Sequence, residues 1–113
     1  MAQNDVIHWA GFSGVVYPYW FVGNIAGLQS VGGNYAFVKR LPNGKVAPLY
    51  FGETNDLSKR IPNHDMWSEA ARLGATHVMG HTTPAGERAR LDEERDLIRN
   101  YNPVLNVQHR TTG

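Results

Sequence analysis

Six residues stand out by type and spacing: Tyr35 in Gly33-Asn34-Tyr35, Tyr50 in Tyr50-Phe51-Gly52, then Arg60, His64, Glu94 and Asn106. Together they hold what metal-assisted cleavage of a phosphodiester requires. A guanidinium fork can bind two phosphate oxygens and offset the charge that develops in the transition state. An imidazole titrates near neutrality and can take a proton from an attacking water. A single carboxylate suits a cation that keeps most of its hydration, as Mg²⁺ does. Each residue alone is unspecific. Two strand tyrosines more often pack a sheet than catalyse, and an arginine at a helix end is usually an ordinary surface cation.

The carboxylate carries the sharpest pattern. At about 100° per residue, Leu91, Leu97, Ile98 and Tyr101 form one apolar stripe of a helix, and Glu94 projects from its middle. A carboxylate flanked by Leu97 and Ile98 is costly unless something cationic meets it. Two partners remain open: an arginine such as Arg90, or a metal ion. Asp92, Glu93 and Asp96 fall on the other faces and read as solvated charges. Arg88, Arg90, Arg95 and Arg99, interleaved with them, read as mostly a solvated face too. His77 and His81 share a strand face with Met79, and with no third ligand in view they read as satisfied or exposed histidines.

These residues need elements to hold them. Val6 to Trp9 and Val15 to Tyr17 read as strands around the turn chemistry of residues 10–14, and Pro18 suggests an edge or a bend. Residues 23–33, rich in glycine, read as a loop. The hairpin that follows is clearer: Tyr35 to Val38, a Leu41-Pro42-Asn43-Gly44 turn, then Val46 to Phe51, with Pro48 marking an edge or a bulge. Antiparallel pairing predicts Tyr35 near Tyr50, and strict alternation puts Tyr50 on the face of Pro48 and Val46. Thr54 or Asn55 is the expected cap of a short helix around Leu57–Ile61, stopped by Pro62. A second helix is expected over Met66–Leu73 with Gly74 as its stop, then a strand over Ala75–Met79. A last helix should start at Thr83-Pro84 and end at Asn102-Pro103. The fold expected from these elements is a small α/β (α+β) domain: a three-stranded, mainly antiparallel sheet flanked by helices, with β structure added at the N-terminus.

The order and spacing of the six residues, from Gly33 to Asn106, resemble the GIY-YIG nuclease family. Arg60 follows Tyr50 at the family's ten-residue interval, and Glu94 to Ile98 followed by Tyr101 to Asn106 looks like the family's C-terminal signature. The resemblance implies a metal-dependent endonuclease that hydrolyses phosphodiester bonds, with DNA as the expected substrate and 5′-phosphate and 3′-hydroxyl ends as products. It implies Glu94 as ligand of Mg²⁺ or Mn²⁺ and Arg60 as the phosphate clamp. His64 or Tyr50 would be the general base, Tyr35 would hold the water or phosphate, and Asn106 would position groups near the metal. It divides the chain into an N-terminal β-rich extension (1–32), a nuclease-like domain (33–107) and a tail (108–113). Gly-Asn-Tyr stands for Gly-Ile-Tyr and Tyr-Phe-Gly for Tyr-Ile-Gly, changes that touch packing more than chemistry.

At 113 residues the chain suits one domain, and with 42% apolar and 19% charged residues it is globular. Its net charge is +1 and its pI about 8.1. Dedicated nucleic-acid binders usually exceed a pI of about 9, so any grip on phosphates must come from a local patch. The absence of cysteine excludes disulfides and thiolate zinc sites. Asp5 and His8 stand where a signal peptide needs an apolar core, and no stretch is long and apolar enough to span a membrane, so a cytoplasmic location is expected. Two other readings remain open: a nucleic-acid-binding or scaffolding module of weak activity, and a nuclease subunit delivered by a partner. A homodimer is a further open possibility.

Overall fold

The computed structural model describes residues 6–23, 28–63 and 65–109. Its strands are β1 (Val6–Ala10), β2 (Val16–Phe21), β3 (Gly33–Arg40), β4 (Val46–Thr54) and β5 (His77–Thr82). The helices are α1 (Leu57–Arg60), α2 (Met66–Arg72), α3 (Glu87–Tyr101) and α4 (Val104–His109), with a 3-10 turn at Ile61–Asn63 between α1 and α2. The fold is α+β as expected, but the sheet has five strands rather than three, in the order β1-β2-β5-β3-β4, all antiparallel. The N-terminal hairpin enlarges the sheet because Trp20 and Phe21 of β2 pair with Gly80 and Met79 of β5. Pro18 lies outside that short pairing and faces only β1, opposite His8, where its missing N–H breaks no ladder.

Helix α3 packs on one face of the sheet and α1, α2 and α4 on the other. Trp9, Tyr19, Ala36, Val38, Phe51, Met79 and Leu97 form the core under α3. Tyr35, Phe37, Leu57, Ile61, Ala70, Val78 and Leu105 form the core on the other side. Strand β3 is therefore buried on both faces from Gly33 to Val38, and its sequence is apolar without alternation apart from Asn34.

The β3–β4 register bears out the nearness of Tyr35 and Tyr50 and corrects the strict alternation expected of β4. Tyr35 lies opposite Gly52, and Tyr50 opposite Phe37, so the two tyrosines are diagonal neighbours on one face. A bulge between Phe37 and Val38 inserts Leu49 into β4, and Pro48 then pairs with Val38 on the opposite face. Val46 packs in the core under α3 while Tyr50 packs in the other core, so the bulge undoes strict alternation.

Several boundaries also differ. Asp56, not Thr54 or Asn55, caps α1, its carboxylate accepting from the Ser58 and Lys59 N–H groups. Pro62 tightens the chain into a 3-10 turn. Strand β5 starts two residues later and runs three residues further than expected, because Val38, Phe37, Ala36, Tyr35, Asn34 and Gly33 pair it from His77 to Thr82. Helix α3 begins at Glu87 behind Gly86, since the Thr83 hydroxyl is engaged elsewhere. Asn102, in the left-handed region at φ 46°, ends α3, and the short α4 follows where no helix was expected. Parts of the expected loop (24–27) and tail (110–113) lie outside the described residues. No helix among the described residues is long and apolar enough to cross a membrane.

Candidate active site

Strands β3 and β4 present Tyr35 and Tyr50 side by side, ring centroids 6.3 Å apart, with the Tyr50 ring stacked on Phe37. Gly52 makes room for this: a Cβ there would overlap the ring and hydroxyl of Tyr35, which lies across it. Helix α1 brings Arg60 to the same place, where its guanidinium hydrogen-bonds Tyr35. Burial, then the neighbouring Tyr50 hydroxyl, pushes the Tyr35 phenol well above its usual range; Arg60 opposes both and does not win. Tyr50 is also raised, by burial and then by the charge of Glu94, with Arg60 again opposing. Both rings are therefore neutral phenols at physiological pH. Asp65 approaches Arg60 at 4.0 Å, an exposed contact at the limit of an ion pair and of little energetic weight.

Glu94 completes the group from α3. It is half-buried and has no hydrogen bond or ion pair among the described residues. The arginine expected as an alternative partner is taken: Arg90 Nε donates to Glu53 Oε1 at 3.1 Å. Burial and the neighbouring Glu53 charge push the Glu94 carboxyl up to about 7, with Arg95 opposing. Next to Arg60 an open polar cleft of about 390 Å³ is lined by Glu53, Thr54, Asn55, Glu87 and Arg90.

Asn106 acts on backbone. Its Oδ1 accepts from the Phe51 N–H at 2.8 Å and its Nδ2 donates to the Phe51 carbonyl at 2.9 Å. Phe51 lies on the edge strand, so the amide stands in for a missing neighbouring strand and fixes the backbone beside Tyr50. His64 lies outside the described residues. Of the six residues, the structure places Tyr35, Tyr50 and Arg60 in contact, sets Glu94 within electrostatic reach of both tyrosines, and ties Asn106 to the strand that carries Tyr50.

Two solved structures resemble this arrangement of elements. Both are of the GIY-YIG N-terminal endonuclease domain of UvrC from Thermotoga maritima bound to its catalytic divalent cation, one a point mutant and the other with magnesium. They are 23% identical to this chain, cover 70% of it and 86% of their own length, and superpose with TM-scores of 0.56 and 0.55. The chain has the GIY-YIG endonuclease fold. No protein-family model matches the sequence, and none of the curated proteins compared with it does.

Within this GIY-YIG fold, the fit to a divalent cation rests on Glu94, a half-buried carboxylate with no hydrogen bond or ion pair among the described residues. Among the described residues no three carboxylates or histidines gather into a cage. That donor set fits a cation that retains several waters, as Mg²⁺ does.

The residue that pattern reading missed is Glu93, expected in solvent and in fact only 3% exposed. The Tyr19 hydroxyl donates to its Oε2 at 2.8 Å and His81, with its proton on Nδ1, does so at 2.9 Å. The single proton of the Thr83 hydroxyl lies between Glu93 Oε1 at 3.1 Å and Asn34 Oδ1 at 3.0 Å. Asn34 in turn donates from Nδ2 to the Arg90 carbonyl at 2.9 Å. The polar residue of the Gly-Asn-Tyr motif is thus hydrogen-bonded through both its amide oxygen and its amide nitrogen, and the network fastens α3 to β2, β3 and β5 next to Glu94. The only sequence signal for it was a polar residue in the otherwise apolar run from Gly33 to Val38 of β3.

Proposed function

We propose that this protein is a divalent-metal-dependent endonuclease that hydrolyses phosphodiester bonds in DNA, leaving 5′-phosphate and 3′-hydroxyl ends. The observation that carries the reading is the cluster of Tyr35, Tyr50 and Arg60 within electrostatic reach of Glu94, a carboxylate without an ion-pair partner among the described residues, on a fold shared with a cation-bound endonuclease domain. Glu94 is the residue that holds the cation, which when bound supplies positive charge to the reacting phosphate. Arg60 grips two phosphate oxygens with its fork and offsets the charge that grows on them. Tyr35 and Tyr50, kept protonated by burial, orient the water and the phosphate as neutral hydrogen-bonding groups. An unperturbed imidazole titrates near neutrality, so His64 is better matched by residue type than Tyr50 to take the proton from the water. Asn106 holds the strand on which Tyr50 stands.

A supercoiled-plasmid nicking assay with Mg²⁺, with Mn²⁺ and with a chelator tests the reading. Nicking that requires the metal and disappears in Arg60→Ala supports it; a folded protein inert on DNA and RNA at every metal concentration overturns it. The net charge of +1 favours a version in which a partner delivers the nuclease to its target.

A further inference from the structure

The tip of the β1–β2 hairpin is bolted to the helix that carries Glu94. Phe12 N–H donates to the Asp96 carbonyl at 3.1 Å, and Asn100 Nδ2 donates to the Ala10 carbonyl at 2.7 Å. The Asp96 carboxylate accepts from Ser13 N–H at 2.8 Å, from Ser13 Oγ at 2.6 Å and from the Tyr17 hydroxyl at 2.7 Å. Gly11 allows this closeness, since a Cβ there would overlap the Asp96 carboxylate. These contacts make the hairpin tip and the middle of α3 one rigid body.

What that body shows to solvent is not core material. Phe12 is 58% exposed, and the Arg99 guanidinium sits 4.1 Å from its ring centre. Arg95 and Arg99 line an open cleft of about 350 Å³ together with Ser13, Tyr17, Asp92 and Asp96. The two carboxylates there are engaged: Asp96 by the hairpin, and Asp92 by Arg88 at 3.7 Å. Among the described residues neither Arg95 nor Arg99 stands within ion-pair distance of a carboxylate, so both guanidiniums keep their donors open to a ligand. Arg95 follows Glu94 directly, and its charge acts on that carboxylate, so the patch borders the proposed metal site.

We propose that Phe12, Arg95 and Arg99 form a nucleic-acid contact surface, which takes the strand leading away from the cleavage site. The arginines hold two backbone phosphates, and the Phe12 ring, held by Arg99, offers its face to an unpaired base. This rests on the nuclease reading and gives it an accessory substrate surface on the hairpin that precedes the Gly-Asn-Tyr motif. An exposed aromatic ring braced by a guanidinium, beside a second free arginine, matches the stacking-and-phosphate chemistry of single strands better than an acidic peptide.

Fluorescence anisotropy with a labelled single-stranded oligonucleotide, in chelator and over a salt series, tests it alongside the plasmid assay. The double variant Arg95→Gln/Arg99→Gln changes only exposed side chains, and Arg72→Gln on α2 serves as a charge-loss control. The double variant should bind about tenfold or more weakly, and the slope of log K against log salt should flatten by roughly 1.4 for two lost phosphate contacts. Phe12→Ala should weaken single-strand binding about tenfold while duplex binding changes less. If the parent binds and nicks, and the double variant keeps its affinity and salt slope or loses no more than Arg72→Gln, the surface is elsewhere and the nuclease reading stands. A parent that neither binds nor nicks with Mg²⁺ overturns the nuclease reading and this surface with it.

Discussion

Glu94 is the residue at which burial, charge and chemistry meet. Its carboxyl, raised from about 4.5 to about 7 by burial and Glu53, keeps its proton in the metal-free fold through a pH range where the unfolded chain has lost it. Between those values the native state binds more protons than the unfolded one, so stability falls as pH rises through them and levels off above about 7. Mg²⁺ should reverse the loss, because it binds the native carboxylate and not the unfolded chain, and it should bind more weakly below pH 7, where it competes with the proton. In Glu94→Gln the pH slope should flatten, the Mg²⁺-induced rise in Tm should vanish, and cleavage should stop; thermal melts at pH 5 to 8 with and without Mg²⁺ check this. An undiminished Mg²⁺ shift in the folded variant would remove the ligand assignment. His64 is tested by its own titration. A base must be unprotonated, so His64→Ala should lose the acidic limb of the pH–rate profile that the parent shows near an imidazole pKa of about 6.5. Superimposable acidic limbs in parent and variant would exclude His64 as the base. Arg60→Ala should cost about 10²–10³ in rate at all pH values, by analogy with loss of an oxyanion donor. Glu94 was legible in the sequence because a carboxylate interrupted an apolar stripe. Glu93 was not, because its donors Tyr19, His81 and Thr83 come from β2, β5 and the turn beyond, and helix periodicity carries no information about polar groups on the facing sheet.

At the scale of elements, the site depends on how the edge strand β4 is finished. It bulges at the Phe37/Val38 register shift, turns Tyr50 away from Pro48 and Val46, and is then closed at Phe51 by Asn106 from α4. Asn106→Ala leaves a buried N–H and carbonyl of Phe51 unsatisfied, at a cost of about 1–3 kcal/mol. That corresponds to a fall in Tm of roughly 4–20 °C for a domain of this size. Cleavage should fall as well, at temperatures where the variant is still folded, because Tyr50 immediately precedes Phe51. An Asn106→Ala protein with the parent's Tm would mean that the clamp is not what closes this edge. The central hairpin, the stop at Gly74 and the end of α3 at Asn102-Pro103 were legible because each rests on local turn and cap chemistry. The cap of α1, the start of α3 and the joining of the β1–β2 hairpin to make a five-stranded sheet were not. Asp56 was one of several adjacent residues able to cap, Thr83 was drawn into a tertiary network, and the joining of β2 to β5 is a pairing across nearly sixty residues of sequence.

The whole molecule has a net charge of +1, and its cations are unevenly placed. Arg90 is buried against Glu53, Arg88 faces Asp92, and Arg60 stands at the site, which leaves Arg95 and Arg99 as the arginines of α3 outside any ion pair among the described residues. Such a surface can meet only a few phosphates at once. Each phosphate neutralised on duplex DNA contributes roughly 0.9 to the slope of log K against log salt. Contacts by the three arginines at and beside the proposed site, Arg60, Arg95 and Arg99, should therefore give a slope of about 2 to 3, far short of the value near 10 reached by a dedicated repressor. Its affinity for duplex DNA at physiological salt should lie in the non-specific range, with Kd roughly 10⁻⁴ to 10⁻⁶ M, and should not depend on sequence. Anisotropy titrations on several unrelated duplexes between 50 and about 200 mM salt read both quantities at once. Weak, salt-sensitive and sequence-blind binding would mean that selection of a target in the cell requires a second protein, and a pull-down with the intact chain is then the way to find it. Nanomolar, salt-insensitive binding to one sequence would require a recognition surface that neither the composition nor the arginine placement of this chain provides.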